Sequence, residues 1–159
     1  MGIPSAARDR FAVKGCFAVA AMIGLMACES GPRKPPALHQ YTNSYDFTIQ
    51  PDQAPPHARE DVHYTITILD RKTRQPLENG EGQLFAGIPV DPAIPNGAQS
   101  KTWDGLAYGP EAGVYKAKLN FVIPGTWALA IRFRRDTLHP LERTDWLQDV
   151  TSERPSSTP

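Results

Sequence analysis

Residues 113–135 read GVYKAKLNFVIPGTWALAIRFRR. Apolar and polar side chains alternate on both sides of Pro124-Gly125, and a period of two is typical of β-strands with one buried face. The apolar positions are Tyr115, Ala117, Leu119 and Phe121 before the turn and Trp127, Leu129, Ile131 and Phe133 after it. One antiparallel register sets each of these residues opposite another. We therefore predict a β-hairpin in which Phe121 faces Trp127 and Tyr115 faces Phe133.

Other stretches repeat the alternation. Residues 62–70, VHYTITILD, form the longest of these, and residues 45–49, YDFTI, would point Asp46 and Thr48 to solvent. Residues 82–86 and 145–150 are two further predicted strands. No segment shows the 3.6-residue period of a helix. Short strands separated by Gly- and Pro-containing turns predict an all-β fold, a single immunoglobulin-like β-sandwich.

The amino terminus has the features of a secretory signal. Three basic residues, Arg8, Arg10 and Lys14, precede a short apolar run at residues 16–26. The run ends in LMAC, residues 25–28, which resembles the lipobox of bacterial lipoproteins. That resemblance implies cleavage before Cys28, acylation of Cys28 and attachment to a membrane through the lipid. Two alternatives are an ordinary signal peptide cut between residues 27 and 31, and an uncleaved amphipathic stretch.

Lipidation also explains the cysteine count. Cleavage would leave Cys28 as the single cysteine, which cannot form an internal disulfide. The next residue is Glu29 and not the aspartate that often retains lipoproteins in the inner membrane. The resemblance therefore implies a bacterial cell envelope protein, with the outer membrane favoured if the cell has two membranes.

The predicted domain organisation has four parts. A signal peptide at 1–27 is followed by the lipidated cysteine and a flexible Pro-rich linker at 28–40. The sandwich spans 41–151, and a polar, disordered tail covers 152–159. Within the sandwich, residues 87–101 carry three prolines, which predicts a long loop.

The order of features in residues 62–150 resembles the YtkA-like and FixH-like group of bacterial extracytoplasmic domains. The resemblance is carried by Asp70, Thr73 and Pro76, by Gly113-x-Tyr115 and by Gly125-x-Trp127. It implies a small immunoglobulin-like sandwich, often anchored as a lipoprotein. Some relatives are linked to copper handling through Met and His. All three methionines of this chain, at positions 1, 22 and 26, lie in the predicted signal, so a thioether site for Cu(I) is not expected.

Composition and motifs argue against several other activities. After cleavage the chain would carry 14 basic and 16 acidic residues (17 minus three, and 17 minus one), which gives no reason to expect nucleic acid as a partner. The sequence contains no catalytic motif and no closely spaced histidine pair, so we predict no enzyme activity, no cofactor and no metal site. The alternative is a copper- or zinc-handling domain that uses His39, His57, His63 or His139 with carboxylates.

Two groups of residues are candidates for contact with a partner, either an envelope protein or another surface ligand. Lys116, Lys118, Arg132 and Arg134 would share the outward face of the predicted hairpin. Trp103 and Tyr108 follow the 87–101 loop and could anchor a partner there. The alternatives are a solvated basic face and a Trp103 that closes one end of the core, with Trp127 and Trp146 buried inside.

Overall fold

The protein forms a β-sandwich, as predicted. The computed structural model describes residues 35–89 and 100–152, and these contain nine strands and no helix. The strands are β1 Leu38–Tyr41, β2 Tyr45–Pro51, β3 Asp61–Asp70, β4 Glu81–Gly87, β5 Lys101–Gly105, β6 Ala107–Tyr108, β7 Val114–Asn120, β8 Gly125–Arg134 and β9 Glu142–Val150. The five-stranded sheet has the order β1-β2-β3-β7-β6 and the four-stranded sheet the order β5-β4-β8-β9. All neighbouring strands are antiparallel.

The core lies between the two sheets and is built from the alternate apolar positions. Its largest fully buried side chains include Trp127, Tyr64, Tyr115, Phe47 and Phe133. The ring of Phe133 meets those of Tyr45 and Tyr115 edge-to-face, with centroids 5.1 and 5.5 Å apart. Of the two tryptophans predicted inside, Trp127 is fully buried, whereas Trp146 is partly buried against the edge of the core.

The predicted hairpin at residues 113–135 is wrong. Strand β7 pairs with β3 and β6 in one sheet, and β8 pairs with β4 and β9 in the other. The chain crosses from sheet to sheet at residues 121–124. The expected neighbours still meet, but across the core: the Phe121 and Trp127 rings lie 5.1 Å apart. The apolar rows of two strands are buried equally well when the strands stack face to face in different sheets and when they pair side by side in one sheet.

The other predicted strands are confirmed as β2, β3, β4 and β9. Asp46 was expected in solvent but is buried, and an ion pair with the Arg74 guanidinium compensates its carboxylate for the loss of water. Strand β1 begins at Leu38, three residues before the predicted start of the sandwich at 41. The segment before β1 contacts the sheet as well, since the Gln50 side-chain amide on β2 donates a hydrogen bond of 2.5 Å to the Pro35 carbonyl.

Several predictions fall outside the described residues. These are the signal peptide, Cys28 with most of the linker, residues 90–99 of the loop, and the tail from residue 153. No helix in the described ranges has the length and hydropathy needed to cross a bilayer.

Candidate functional site

The outer face of the four-stranded sheet brings together three of the predicted partner-binding residues. Trp103 on β5 lies directly opposite Phe85 on β4, and Phe85 lies opposite Ala130 on β8. Arg132 and Arg134 follow on alternate positions of β8 and share this face. We call the surface formed by Phe85, Trp103, Arg132 and Arg134 the aromatic–arginine face.

Strand alternation explains why these side chains point away from the core. On β4, Leu84 and Ala86 are buried, so Phe85 between them faces outward. On β8, Ile131 and Phe133 are fully buried, which places the arginines on the opposite side.

Trp103 is the most exposed tryptophan in the described residues, with 64% of its surface accessible. The alternative in which Trp103 closes the core is therefore wrong. Its position on an edge strand, on the face away from the other sheet, leaves the indole to solvent. An exposed tryptophan beside a second aromatic ring is a common feature of binding surfaces, because both offer large rigid contact area.

Arg132 differs from its basic neighbours in its partner. Its guanidinium carbon lies 4.9 Å from the centre of the Phe85 ring, a cation–π arrangement. Arg134 instead forms an ion pair of 2.6 Å with Glu81, and Arg143 pairs with Asp145. No acidic side chain of the described ranges lies within ion-pair distance of Arg132. A cavity of about 350 Å³ opens here, lined by Glu81, Gly82, Gln83, Arg132, Arg134 and Leu141.

The remaining candidates lie on the other sheet, so the single basic face predicted from the sequence is wrong. Lys116 and Lys118 project from the outer surface of the five-stranded sheet. Lys118 forms an ion pair of 2.9 Å with Asp61, which raises the pKa of Lys118 through the hydrogen bond between them. Tyr108 on β6 is partly exposed and packs edge-to-face on Tyr115 at 5.3 Å.

The four histidines are scattered. His39 lies beside Thr48, His57 beside Thr151, and His139 pairs with Asp136 at 2.8 Å. His63 lies opposite Lys118 on the outer surface of the five-stranded sheet. In the described ranges no group of three or more His, Cys, Asp or Glu side chains is placed to hold a metal ion.

Phe85 and Leu147 are surface residues that sequence reasoning missed. Leu147 on β9 has 68% of its surface exposed and lies opposite Ala128 of β8. The signal was present in both strands, because two consecutive large apolar residues, Leu84-Phe85 and Trp146-Leu147, must point to opposite faces. One residue of each pair is therefore on the outer surface.

Comparison with known proteins finds similar solved structures but no family. No family model matches the chain, and no curated protein matches it. The structure is similar to the PmoD soluble domain from Methylocystis sp. (Rockwell), with 13% identity and a TM-score of 0.44 over 71% of this chain and 96% of that one. It is also similar to FetP from uropathogenic E. coli strain F11, with 10% identity and a TM-score of 0.45 over 76% of this chain and 98% of that one. The resemblance to YtkA-like and FixH-like domains stays a prediction.

Proposed function

We propose that this protein is a lipid-anchored, non-catalytic binding domain of the bacterial cell envelope, and that it recognises a partner protein through the aromatic–arginine face. The observation that carries the proposal is the exposed Trp103 in one row with Phe85, with Arg132 stacked on that ring. Tryptophan and arginine dominate the binding energy of protein interfaces.

The charge arrangement supports a partner that carries an acidic group at this face. The Arg132 guanidinium stacks on an aromatic ring, so it can form an ion pair with a carboxylate of the partner. Lys116 and Lys118 are on the far side of the sandwich and take no part in this contact.

The lipid anchor is the second element of the proposal and rests on the LMAC sequence that ends at Cys28. Two or three acyl chains on one cysteine give stable membrane attachment, whereas a single chain gives marginal binding. Mass spectrometry of the amino terminus of the mature protein tests the anchor. We expect an acylated Cys28 in the wild type and no acylation in Cys28→Ser, whereas an unmodified wild-type chain starting at Glu29 or later would contradict the anchor.

The binding face is tested by cross-linking and recovery from membranes with the full chain. We compare the wild type, Trp103→Ala and a matched control, Tyr41→Ala, which removes an exposed aromatic ring from the opposite sheet. We expect the same partner with the wild type and the control, and its loss with Trp103→Ala.

Thermal unfolding of the same variants distinguishes binding from folding. An unchanged melting temperature for Trp103→Ala together with loss of the partner supports the face. Recovery of the partner with Trp103→Ala as with the wild type would show that this face does not carry the function.

A further inference from the structure

In the part of the chain that the structure describes, strand β9 forms a long edge with no neighbouring strand on its outer side. It spans nine residues and ends the four-stranded sheet, pairing with β8 alone in the described ranges. Half of the backbone N–H and C=O groups of an antiparallel edge strand point away from its partner. The short segment around His57 bridges to Thr151 just past the end of β9 and bounds this free edge.

The other three edges of the sandwich are shorter or covered. β1 has four residues and β6 has two. β5 has five, and its Asp104 carboxylate accepts the backbone N–H of Lys118 at 2.8 Å, which ties this edge to the other sheet. Among the edge strands of residues 35–89 and 100–152, only β9 offers enough consecutive backbone for an added strand.

We propose that the occupant of this edge is β9 of a second copy, paired antiparallel about a two-fold axis at Trp146. The charges along β9 are self-complementary in this pairing. In this register Arg143, which is ion-paired with Asp145 of its own strand, would lie opposite Asp149 of the second copy, and the symmetry repeats the pair. All nine residues of the strand are paired, and no like charges lie directly opposite one another.

Neighbouring registers are unfavourable. A shift by one residue places core-facing side chains opposite solvent-facing ones, which a sandwich with one buried face does not allow. Centring the axis on Asp145 places that carboxylate opposite its own copy, and centring it on Leu147 places Asp145 opposite Asp149. Like charges directly opposite each other destabilise strand pairing.

The apolar surroundings of β9 also fit a paired edge. Leu147 is exposed on the outer face. A groove of about 180 Å³ runs beside Trp146 and Leu147 and is lined on its other side by Pro36, Leu38 and Pro51. A second strand against β9 would cover part of this apolar surface and satisfy the outward backbone groups in one step.

The test is the association state of the full chain, purified from membranes in mild detergent and measured by analytical ultracentrifugation. We expect a dimer for the wild type. Asp149→Arg turns both opposite-charge pairs into like-charge pairs, so it should weaken dimerisation roughly tenfold. The charge swap Arg143→Asp/Asp149→Arg should restore it, and Glu111→Arg, the same charge change far from β9, should leave it unchanged.

Thermal unfolding and a second variant distinguish a loss of dimerisation from a loss of folding. Thermal unfolding reports whether each variant folds, since Asp149 also accepts a hydrogen bond of 2.6 Å from Thr126. If Asp149→Arg does not fold, Arg143→Asp reverses the same pairs and leaves that bond intact. Arg143→Asp also removes the ion pair between Arg143 and Asp145 of the same strand, so its thermal unfolding is measured as well. A monomeric wild type, a dimer insensitive to either single reversal, or a folded charge-swap variant that stays monomeric would each overturn the proposal.

Discussion

Replacing Tyr115 by Phe tests the hydrogen bonds that link the turn before β4 to strand β7 of the other sheet. The Tyr115 hydroxyl donates a hydrogen bond of 2.9 Å to the Leu77 carbonyl and accepts one of 3.0 Å from the Gly80 N–H. Burial raises the pKa of Tyr115, so the hydroxyl remains protonated and able to donate. The substitution removes one oxygen atom and leaves the ring contacts with Phe133 and Tyr108 in place.

The expected loss follows from the burial of the two backbone groups. Leu77 is buried, so its carbonyl has no water to replace the hydroxyl, whereas Gly80 is half-buried and can be rehydrated. An unsatisfied buried polar group costs about 1–3 kcal/mol. The full penalty for the Leu77 carbonyl and a partial penalty for the Gly80 N–H together predict that Tyr115→Phe lowers the free energy of unfolding by about 2 kcal/mol.

Urea unfolding followed by tryptophan fluorescence measures this loss, with Tyr64→Phe as the matched control. The Tyr64 hydroxyl also donates one hydrogen bond, of 3.1 Å, but to the side chain of Gln148, which is half-buried and can bind water. We expect the control to lose about 0.5–1 kcal/mol. If Tyr115→Phe loses no more than Tyr64→Phe, with unchanged denaturant dependence, the inferred role of the Tyr115 hydroxyl is wrong.

Three further predictions concern the core, acid stability and one glycine. Leu119→Ala and Ile131→Ala should each lower the free energy of unfolding by about 2–5 kcal/mol in urea titrations, because both side chains are fully buried; a loss typical of surface sites would refute this. The pKa of Asp70 is lowered to about 2, chiefly by the Thr73 N–H and also by Arg135. The ionised Asp70 therefore contributes its full stabilisation above its ordinary pKa of 3.8, and this stabilisation is lost as the pH falls towards 2. The melting temperatures of the wild type and Asp70→Asn should converge over that range, and a constant difference between them would contradict this role of Asp70. Gly113→Ala should lower the melting temperature, because Gly113 has a φ of 73° and an added Cβ would lie 2.7 Å from Pro76. Gly105→Ala should leave the melting temperature unchanged, because a Cβ at Gly105 would have no atom within 4 Å. Equal effects of the two substitutions would contradict the steric argument.

The alternation of side chains was sufficient to predict the fold class and most of the residues that are inside, with Asp46 as an exception. In β3 and β7, every second residue from Val62 to Ile68 and from Tyr115 to Leu119 is buried, as the sequence indicates. This succeeded because the two-residue period of a strand is a local property of the backbone. It also implied, in Leu84-Phe85, that one of two adjacent apolar residues must reach the surface.

Which strands pair could not be inferred from that period. Apolar rows on β7 and β8 satisfy burial equally when they lie side by side in one sheet or face to face across a core, and in both arrangements Phe121 meets Trp127. The path of residues 121–124 between the sheets selects the second arrangement. The candidate site depends on this choice, because it separates Lys116 and Lys118 from the arginines of β8. The exposure of Trp103 likewise follows from the position of β5 at a sheet edge, which depends on long-range pairing and not on local sequence.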